Sequence, residues 1–351
     1  TLLGYHFTGK WNFYMKINNI EYNEHQVDLK NIFRNNKTSY SYKKSVIIKI
    51  FTDQYVGLGE ASPLNGFSNE TFQEIIWALE LFIESISFNT KYSFHELLDL
   101  AEIHCSNIPS LHFAIDTAIY DIEGQRRQLP ISKILNSKCS NIIFFSDIYT
   151  PNKTLNRIKT NTIKYKLGVN EINDDTQIFD LINNNIKLRL DANQAYTLDQ
   201  FKKIYLKLSS YNIEYFEEPI KNINSNILYK LNKIPIAIDE SIYQNNNYMH
   251  WLKNELINTI IIKPSIWGGY KKIFQLVNLA KQHNTKIILS TALENSIGNM
   301  AAIHLSSALD NNLEHGLNIH NFYDTFIVKP TYDKSNTSVN LNNVIGLGLT
   351  L

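Results

Sequence analysis

Cysteine is scarce, with only Cys105 and Cys139 among 351 residues. Two thiols at no metal-type spacing exclude a disulfide framework and a thiolate cluster, and suit a reduced, cytoplasmic protein. Long apolar runs are missing as well, and none approaches the roughly 20 residues of a membrane span. The opening TLLGYHFTGKWNFYMK lacks a basic stretch followed by a clean apolar one, so it does not read as a secretory signal. Residues 1–14 read instead as an extension ahead of MKINNIEY. Excess charge of one sign is absent too. A net charge of +1, with 19% charged residues, gives no footprint for nucleic acid or an anionic membrane. A glycine-rich phosphate loop is also lacking, because GLGEAS does not run directly into a helix.

What is there is a chain that is 44% hydrophobic and long enough for two domains, with homo-oligomerisation left open. Strand-like stretches come first, in MKINNIEY and TSYSYKKSVIIKIF, separated by polar residues 35–43. After the loop GLGEASPLNGFSNET, Ser68 and Thr71 offer N-caps to the helix FQEIIWALELFIESI. Helices over HELLDLAEIH and SLHFAIDTAIYDIEGQ follow, the latter with Leu111, Ile115, Ala118, Ile119 and Ile122 on one side. Residues 1–125 therefore read as an α+β lobe. Residues 126–320 alternate strand and helix, beginning with NIIFFSDIYT and ending with KIILSTALE and LEHGLN. Helices are expected between the strands, as in DTQIFDLINNN, TLDQFKKIYLKLSS and GGYKKIFQLVNLAKQHN. Eight such strands predict a parallel β/α barrel, with an open doubly wound sheet as the competing fold. Residues 321–351 return to extended, polar sequence that is expected to pack back on the first lobe.

Five apolar runs in the barrel end in charge: TIKYKLG, IKLRLDAN, IEYFEEP, IPIAIDES and TIIIKP. Lys166, Asp191, Glu217, Asp239 and Lys263 follow one another at intervals of 25, 26, 22 and 24 residues. That interval accommodates a strand, a helix and two short loops. In a barrel, active-site residues sit at the C-terminal strand ends. One charge there is most simply a rim salt bridge. Three acids from consecutive strands repel one another unless a cation holds them, so Asp191, Glu217 and Asp239 predict a site for Mg²⁺ before Mn²⁺. Periodicity alone does not decide between Glu217 and Glu218, or between Asp239 and Glu240. Arg189, Asp191 and Asn193 share a strand face, as do Lys164 and Lys166. A free lysine titrates near 10.4, and Lys164 with a divalent cation would bring Lys166 toward the roughly 7–8 of a useful base. Lys166 and Lys263 flanking a metal suit proton abstraction α to a carboxylate, in a small-molecule substrate.

At these residues the chain resembles the enolase superfamily, in its muconate-lactonising subgroup. The likeness rests on KYK, LDAN, EEP, DES, IIIKP and AIDTAIYDIEG, and extends from about Met15 to Asp324. It implies a (β/α)₇β barrel capped by an α+β lobe, with cap loops near 35–43 and 60–67 closing over the substrate. GLGEASPLNGFSNET and STALENSIGNMAAIHLSSAL resemble the o-succinylbenzoate synthase branch, of menaquinone biosynthesis. HGLNIHNFYDTF is similar to the HGLGTG-type sequence after strand eight, with NIH replacing its glycine-rich part. The resemblance implies Mg²⁺ on Asp191, Glu217 and Asp239, and Lys166 as base for 2-succinyl-6-hydroxy-2,4-cyclohexadiene-1-carboxylate. It further implies that Lys166 then assists loss of water from the same face, while Lys263 stabilises the intermediate and Lys164 tunes Lys166. Asn193 and Arg189 would support the metal shell and pocket, and Ser290 and Thr291 would meet the succinyl arm. Racemases, epimerases and cycloisomerases share such a site. Dipeptide epimerases carry an Asp-x-Asp near strand eight, which LEHGLN lacks.

Overall fold

A computed structural model of the chain describes residues 14–34, 39–149, 159–168, 176, 179, 180, 182, 185–244 and 247–350. Nearly all of the expected extension, residues 35–38 of the first cap loop and most of the helix expected over 175–185 lie outside them. The capping lobe is an antiparallel sheet in the order β3-β2-β1-β4, built from β1 (Tyr14–Arg34), β2 (Ser39–Thr52), β3 (Val56–Ala61) and β4 (Lys91–Ser93). The β1–β2 ladder runs out to Arg34 opposite Ser39, so residues 39–43, expected both in the strand-like TSYSYKK and in the first cap loop, are strand. Paired backbone groups there outweigh the polar side chains.

Helix α1 (Phe72–Ser85) starts at Thr71, whose hydroxyl accepts from the Glu74 N–H while Glu74 accepts from the Thr71 N–H. Ser68, the other expected cap, instead accepts from the Leu64 N–H and closes the preceding turn. Helix α2 (Phe94–Cys105) carries the same box on Ser93 and Glu96, and α3 (Pro109–Arg127) opens on proline.

Helix α3 is buried on every side from Ser110 to Gly124, not along one apolar face. Strand β3 lies directly on it. A Cβ on Gly57 would fall 2.1 Å from the Ala118 carbonyl oxygen, and one on Gly59 2.2 Å from that of Ala114. The GLG glycines thus serve helix contact. Two acids of α3 take backbone donors from elsewhere: Asp121 accepts from the Leu58 and Leu347 N–H groups, and Asp116 Oδ2 from that of Tyr270.

After α4 (Ile131–Leu135) the barrel begins. Its first strand divides at Ser146 into β5 (Ile142–Phe145) and β6 (Asp147–Ile148). Then come β7 (Thr162–Lys166), β8 (Lys187–Asp191), β9 (Ile213–Glu217), β10 (Ile236–Ile238), β11 (Thr259–Ile262) and β12 (Lys286–Leu289), parallel neighbours in that order from β6. The ring closes through β13 (Glu314–His315), which pairs with β5 and is bridged to Ser290 at Gly316. The architecture is a (β/α)₇β barrel with an α+β cap. Barrel helices include α5 (Leu198–Leu208), α6 (Ser225–Lys230), α7 (Glu240–Gln244), α8 (Tyr248–Lys253), α9 (Pro264–Trp267), α10 (Tyr270–Gln282) and α11 (Ser296–Leu309). Among the described residues no helix is long and apolar enough to cross a membrane.

The tail touches both parts: β14 (Ser338–Asn340) pairs with β5, while Leu347 reaches Asp121 of α3. His304 of α11 holds that tail in place. Its Nε2 lies 3.1 Å from the Leu347 carbonyl oxygen, and its Nδ1 accepts from the Ser132 N–H. Burial lowers this imidazole from 6.5 to about 4, against the opposing pull of the Leu347 carbonyl. A depressed histidine contributes stability above its unfolded value and loses it as pH falls toward the folded one. Stability is therefore expected to drop by on the order of 3 kcal/mol from this group between pH 7 and pH 4. Urea unfolding of the native chain and of His304→Gln at both pH values checks it. A difference between the two proteins that does not change with pH would refute it.

Candidate active site

Alternate residues of each barrel strand point inward. The lower inward layer is apolar on four strands, with Tyr215, Ala237, Ile261 and Ile288 packed as a cluster apart from the main core. Arg189 belongs to this layer. Its guanidinium lies 5.4 Å from the Tyr215 ring, donates from Nε to Glu214 at 2.7 Å and from Nη1 to the Glu314 carbonyl at 2.8 Å. Two residues further along the same strands come Asp191, Glu217, Asp239, Lys263 and Ser290, at the C-terminal mouth.

The mouth is an ionic cluster. The Lys164 ammonium lies 2.8 Å from Asp191 Oδ2 and 2.8 Å from Glu217 Oε1, and Lys263 Nζ pairs with Asp239 Oδ2. Asp191, Glu217, Asp239 and Lys263 are all buried, and Lys166 is exposed at the end of β7, in register with Asp191. Burial alone would lower the Lys164 ammonium, but the three carboxylates outweigh it and raise it well above its ordinary value. Burial also pushes Glu217 upward; Lys164 opposes this, and Asp191 and Asp239 add to it. Asn193 fixes Asp191, donating to Oδ1 from its backbone N–H at 3.0 Å and its side-chain amide at 2.9 Å.

Each adjacent acid pair splits. Glu218 leaves the strand at φ 43°, so its carboxylate turns behind β10, where it accepts from the backbone N–H groups of Asp239 and Ser241 and the Ser241 hydroxyl. Glu240 and Glu218 share the Gln194 amide. Thr291 is buried, donating to Glu294 Oε2 at 2.6 Å and accepting from the Leu293 N–H. Ser290 is half-buried on the inward face.

Among the described residues no three His, Cys, Asp or Glu side chains already converge on an ion-sized point. The two ammonium groups stand among the carboxylates instead. The donor set nevertheless fits a hard divalent cation. It consists of oxygens alone, three carboxylates face two lysines, and Asp239 Oδ1 is buried with no hydrogen-bond partner.

Residues 153–351 match the family model described as enolase C-terminal domain-like, and residues 23–136 match the mandelate racemase/muconate lactonizing enzyme N-terminal domain. This chain belongs to the enolase superfamily. Within that superfamily it falls in the muconate-lactonising subgroup. It is 28% identical over 313 residues to the hydrophobic dipeptide epimerase of Enterococcus faecalis, covering 85% of this chain and 88% of that protein. It is 25% identical over 309 residues to the o-succinylbenzoate synthase of Klebsiella pneumoniae, covering 86% and 90%. The crystal structure of the Enterococcus faecalis V583 dipeptide epimerase, complexed with Mg and the dipeptide L-Leu-L-Tyr, superposes with a TM-score of 0.84 at 24% identity, covering 97% of this chain and 100% of that one.

Several residues of this superfamily site escape a reading by strand ends. Tyr243 accepts the Lys263 backbone N–H, Gln194 bridges two acids, and the Phe67 ring lies 4.8 Å from Lys263 Nζ. Gln194, three residues beyond Asp191, and Phe67, in the expected second cap loop, carried a local signal, and Tyr243 carried none.

Proposed function

We propose that the chain is a metal-dependent enzyme that removes the proton α to a carboxylate, with Lys166 as base and Lys263 as the facing ammonium. The placement of the two lysines carries this reading. They end the second and sixth strands of an eight-stranded ring, so they face each other across Asp191, Glu217 and Asp239. Those three acids, now paired with Lys164 and Lys263, would hold Mg²⁺ through their carboxylate oxygens. Bound there, the ion supplies positive charge for a substrate carboxylate. Asn193 orients Asp191, Lys164 offsets the negative charge of the cluster, and Arg189 supports the floor through Glu214 and Tyr215. Thr291 supports Glu294, and Ser290 remains the inward-facing contact at strand seven.

The substrate we favour is 2-succinyl-6-hydroxy-2,4-cyclohexadiene-1-carboxylate, dehydrated to o-succinylbenzoate. Lys166 takes the C1 proton and becomes an ammonium, and the C1 electron pair spreads into the adjoining carboxylate. As the C6–O bond breaks, Lys166 returns a proton to the departing hydroxide, so water leaves and the ring becomes aromatic. Strand eight supports this choice over an amino-group substrate. Its mouth carries Gly316, Leu317 and Asn318, with Asn318 capping the His320 N–H, so among the described residues positions 316–318 offer an ammonium group no carboxylate. Similarity to the Enterococcus faecalis enzyme favours a second reading, epimerisation of dipeptides with both lysines as bases. Parallel assays separate the two: Mg²⁺-dependent formation of o-succinylbenzoate, and deuterium uptake by dipeptides in heavy water. We expect the first to proceed and to stop on chelation of the metal. Deuterium uptake without dehydration would transfer the assignment to the epimerase.

A further inference from the structure

Three buried charges lie behind the cap loop, outside the cluster at the mouth: Lys43, Glu60 and Glu294. Glu60 is the last residue but one of β3, opposite Ile47 of β2. Its carboxylate accepts from the Asn295 N–H at 2.7 Å and the Gly298 N–H at 2.9 Å, at the N-terminus of α11. There the positive end of the helix and two otherwise unpaired donors offset the cost of burying it. Lys43, on β2, donates to the Ser62 and Pro63 carbonyls. The chain leaving β3 is thus gripped from two sides before the loop begins.

The loop then folds onto itself. The Leu64 carbonyl accepts from the N–H groups of Phe67 and Ser68, at 2.9 Å and 2.7 Å. This turn lays the Phe67 ring 4.8 Å from Lys263 Nζ. Leu64 and Phe67 join Ile266, Ala292 and Leu293 in a small apolar cluster separate from the main core. A second route leads to the same lysine. Glu294, beside Asn295, accepts from the Thr291 hydroxyl, the Ala292 N–H and the Ser265 hydroxyl, two residues past Lys263. An aromatic face over an ammonium attracts it electrostatically and keeps water from one side of it.

We propose that Glu60 is a positioning residue of the active site: anchored on α11, it sets the loop that lays Phe67 over the Lys263 ammonium. This rests on the reading of Lys263 as the facing ammonium. Any acid in place would satisfy the two N–H groups; what singles out Glu60 is that its anchorage ends at Phe67. Loosening it would leave the lysine in place and uncover it.

The test compares the native chain with Glu60→Gln, Phe67→Leu and the double variant. Two quantities are read: kcat/KM on the cyclohexadiene carboxylate, and the rate at which a water-soluble acetylating ester modifies Lys263, measured by peptide mass spectrometry. Each single variant is expected to lose ~10- to 100-fold in kcat/KM, the scale of a misplaced active-site group. Acetylation of Lys263 is expected to quicken severalfold in both. Because Glu60 acts through Phe67, the double variant is expected to be no worse than Phe67→Leu alone. Losses that multiply in the double variant, or Lys263 acetylation unchanged in Glu60→Gln, would overturn the proposal. If Glu60→Gln does not fold, Lys43→Gln loosens the same loop from the other side and must give both effects. Acetylation needs no turnover, so a wrong substrate would leave this test intact.

Discussion

Replacing Lys166 with alanine is expected to lower kcat by ~10³- to 10⁴-fold, the upper range for removal of a positioned general base or acid. The loss should fall equally on kcat and kcat/KM, because the side chain acts in the transition state rather than in binding. Lys166 is exposed at the tip of β7, so thermal unfolding of Lys166→Ala should match that of the native chain. That combination separates it from its neighbour Lys164. Lys164 is held at 2.8 Å by two buried carboxylates, and its removal would leave Asp191 and Glu217 facing one another. Lys164→Ala should therefore cost stability as well as activity. Single-turnover measurement of substrate decay and a urea melt on both variants distinguish the cases. A Lys166→Ala protein that turned over at the native rate would remove this lysine from the mechanism.

The largest effect on stability is expected from Gly59→Ala. The added methyl would sit 2.2 Å from the Ala114 carbonyl oxygen and 2.8 Å from its carbonyl carbon. These are main-chain atoms of a helix buried on all sides, so no side chain can rotate away. Either β3 lifts from α3 or the helix shifts against the barrel, and each breaks close packing over its whole length. A loss on the order of 3 kcal/mol follows, read as a lower urea midpoint. Trp77→Ala, at a side chain 58% exposed, serves as the control that should barely move it. A Gly59→Ala protein as stable as the control would show that β3 and α3 approach less closely than described.

Much of this was legible because a barrel strand has a two-residue period. Charges separated by a strand, a helix and two loops must return to the same end of the sheet, and alternation then fixes what lies beneath them. Arg189 shows where that rule needs a second fact. It shares a face with Asp191, yet lies one layer lower, where Glu214 and Tyr215 hold it away from the mouth. The split between Glu217 and Glu218 was hidden for another reason. It depends on a left-handed backbone at Glu218, a conformation that its residue type does not announce. Helix α3 hid its buried polar faces because Asp116 Oδ2 and Asp121 Oδ1 accept from N–H groups 154 and 226 residues away. Periodicity records which residues are apolar, not which polar ones have found distant donors.

The break at Ser146 also bears on how the chain assembles. One half of the first strand pairs with strand two of the barrel, whereas the other half waits for residues 314–315. A chain emerging from the ribosome therefore carries, until Glu314 and His315 follow β12, an open parallel sheet with a bare edge on either flank. Such edges invite pairing with other chains. The ring is not closed until residues 314–316 pair with one side of β5 and bridge to Ser290 beyond β12, and Ser338–Asn340 covers the other side of β5. Truncation within that last stretch would leave the charged mouth intact and still produce a protein prone to aggregate.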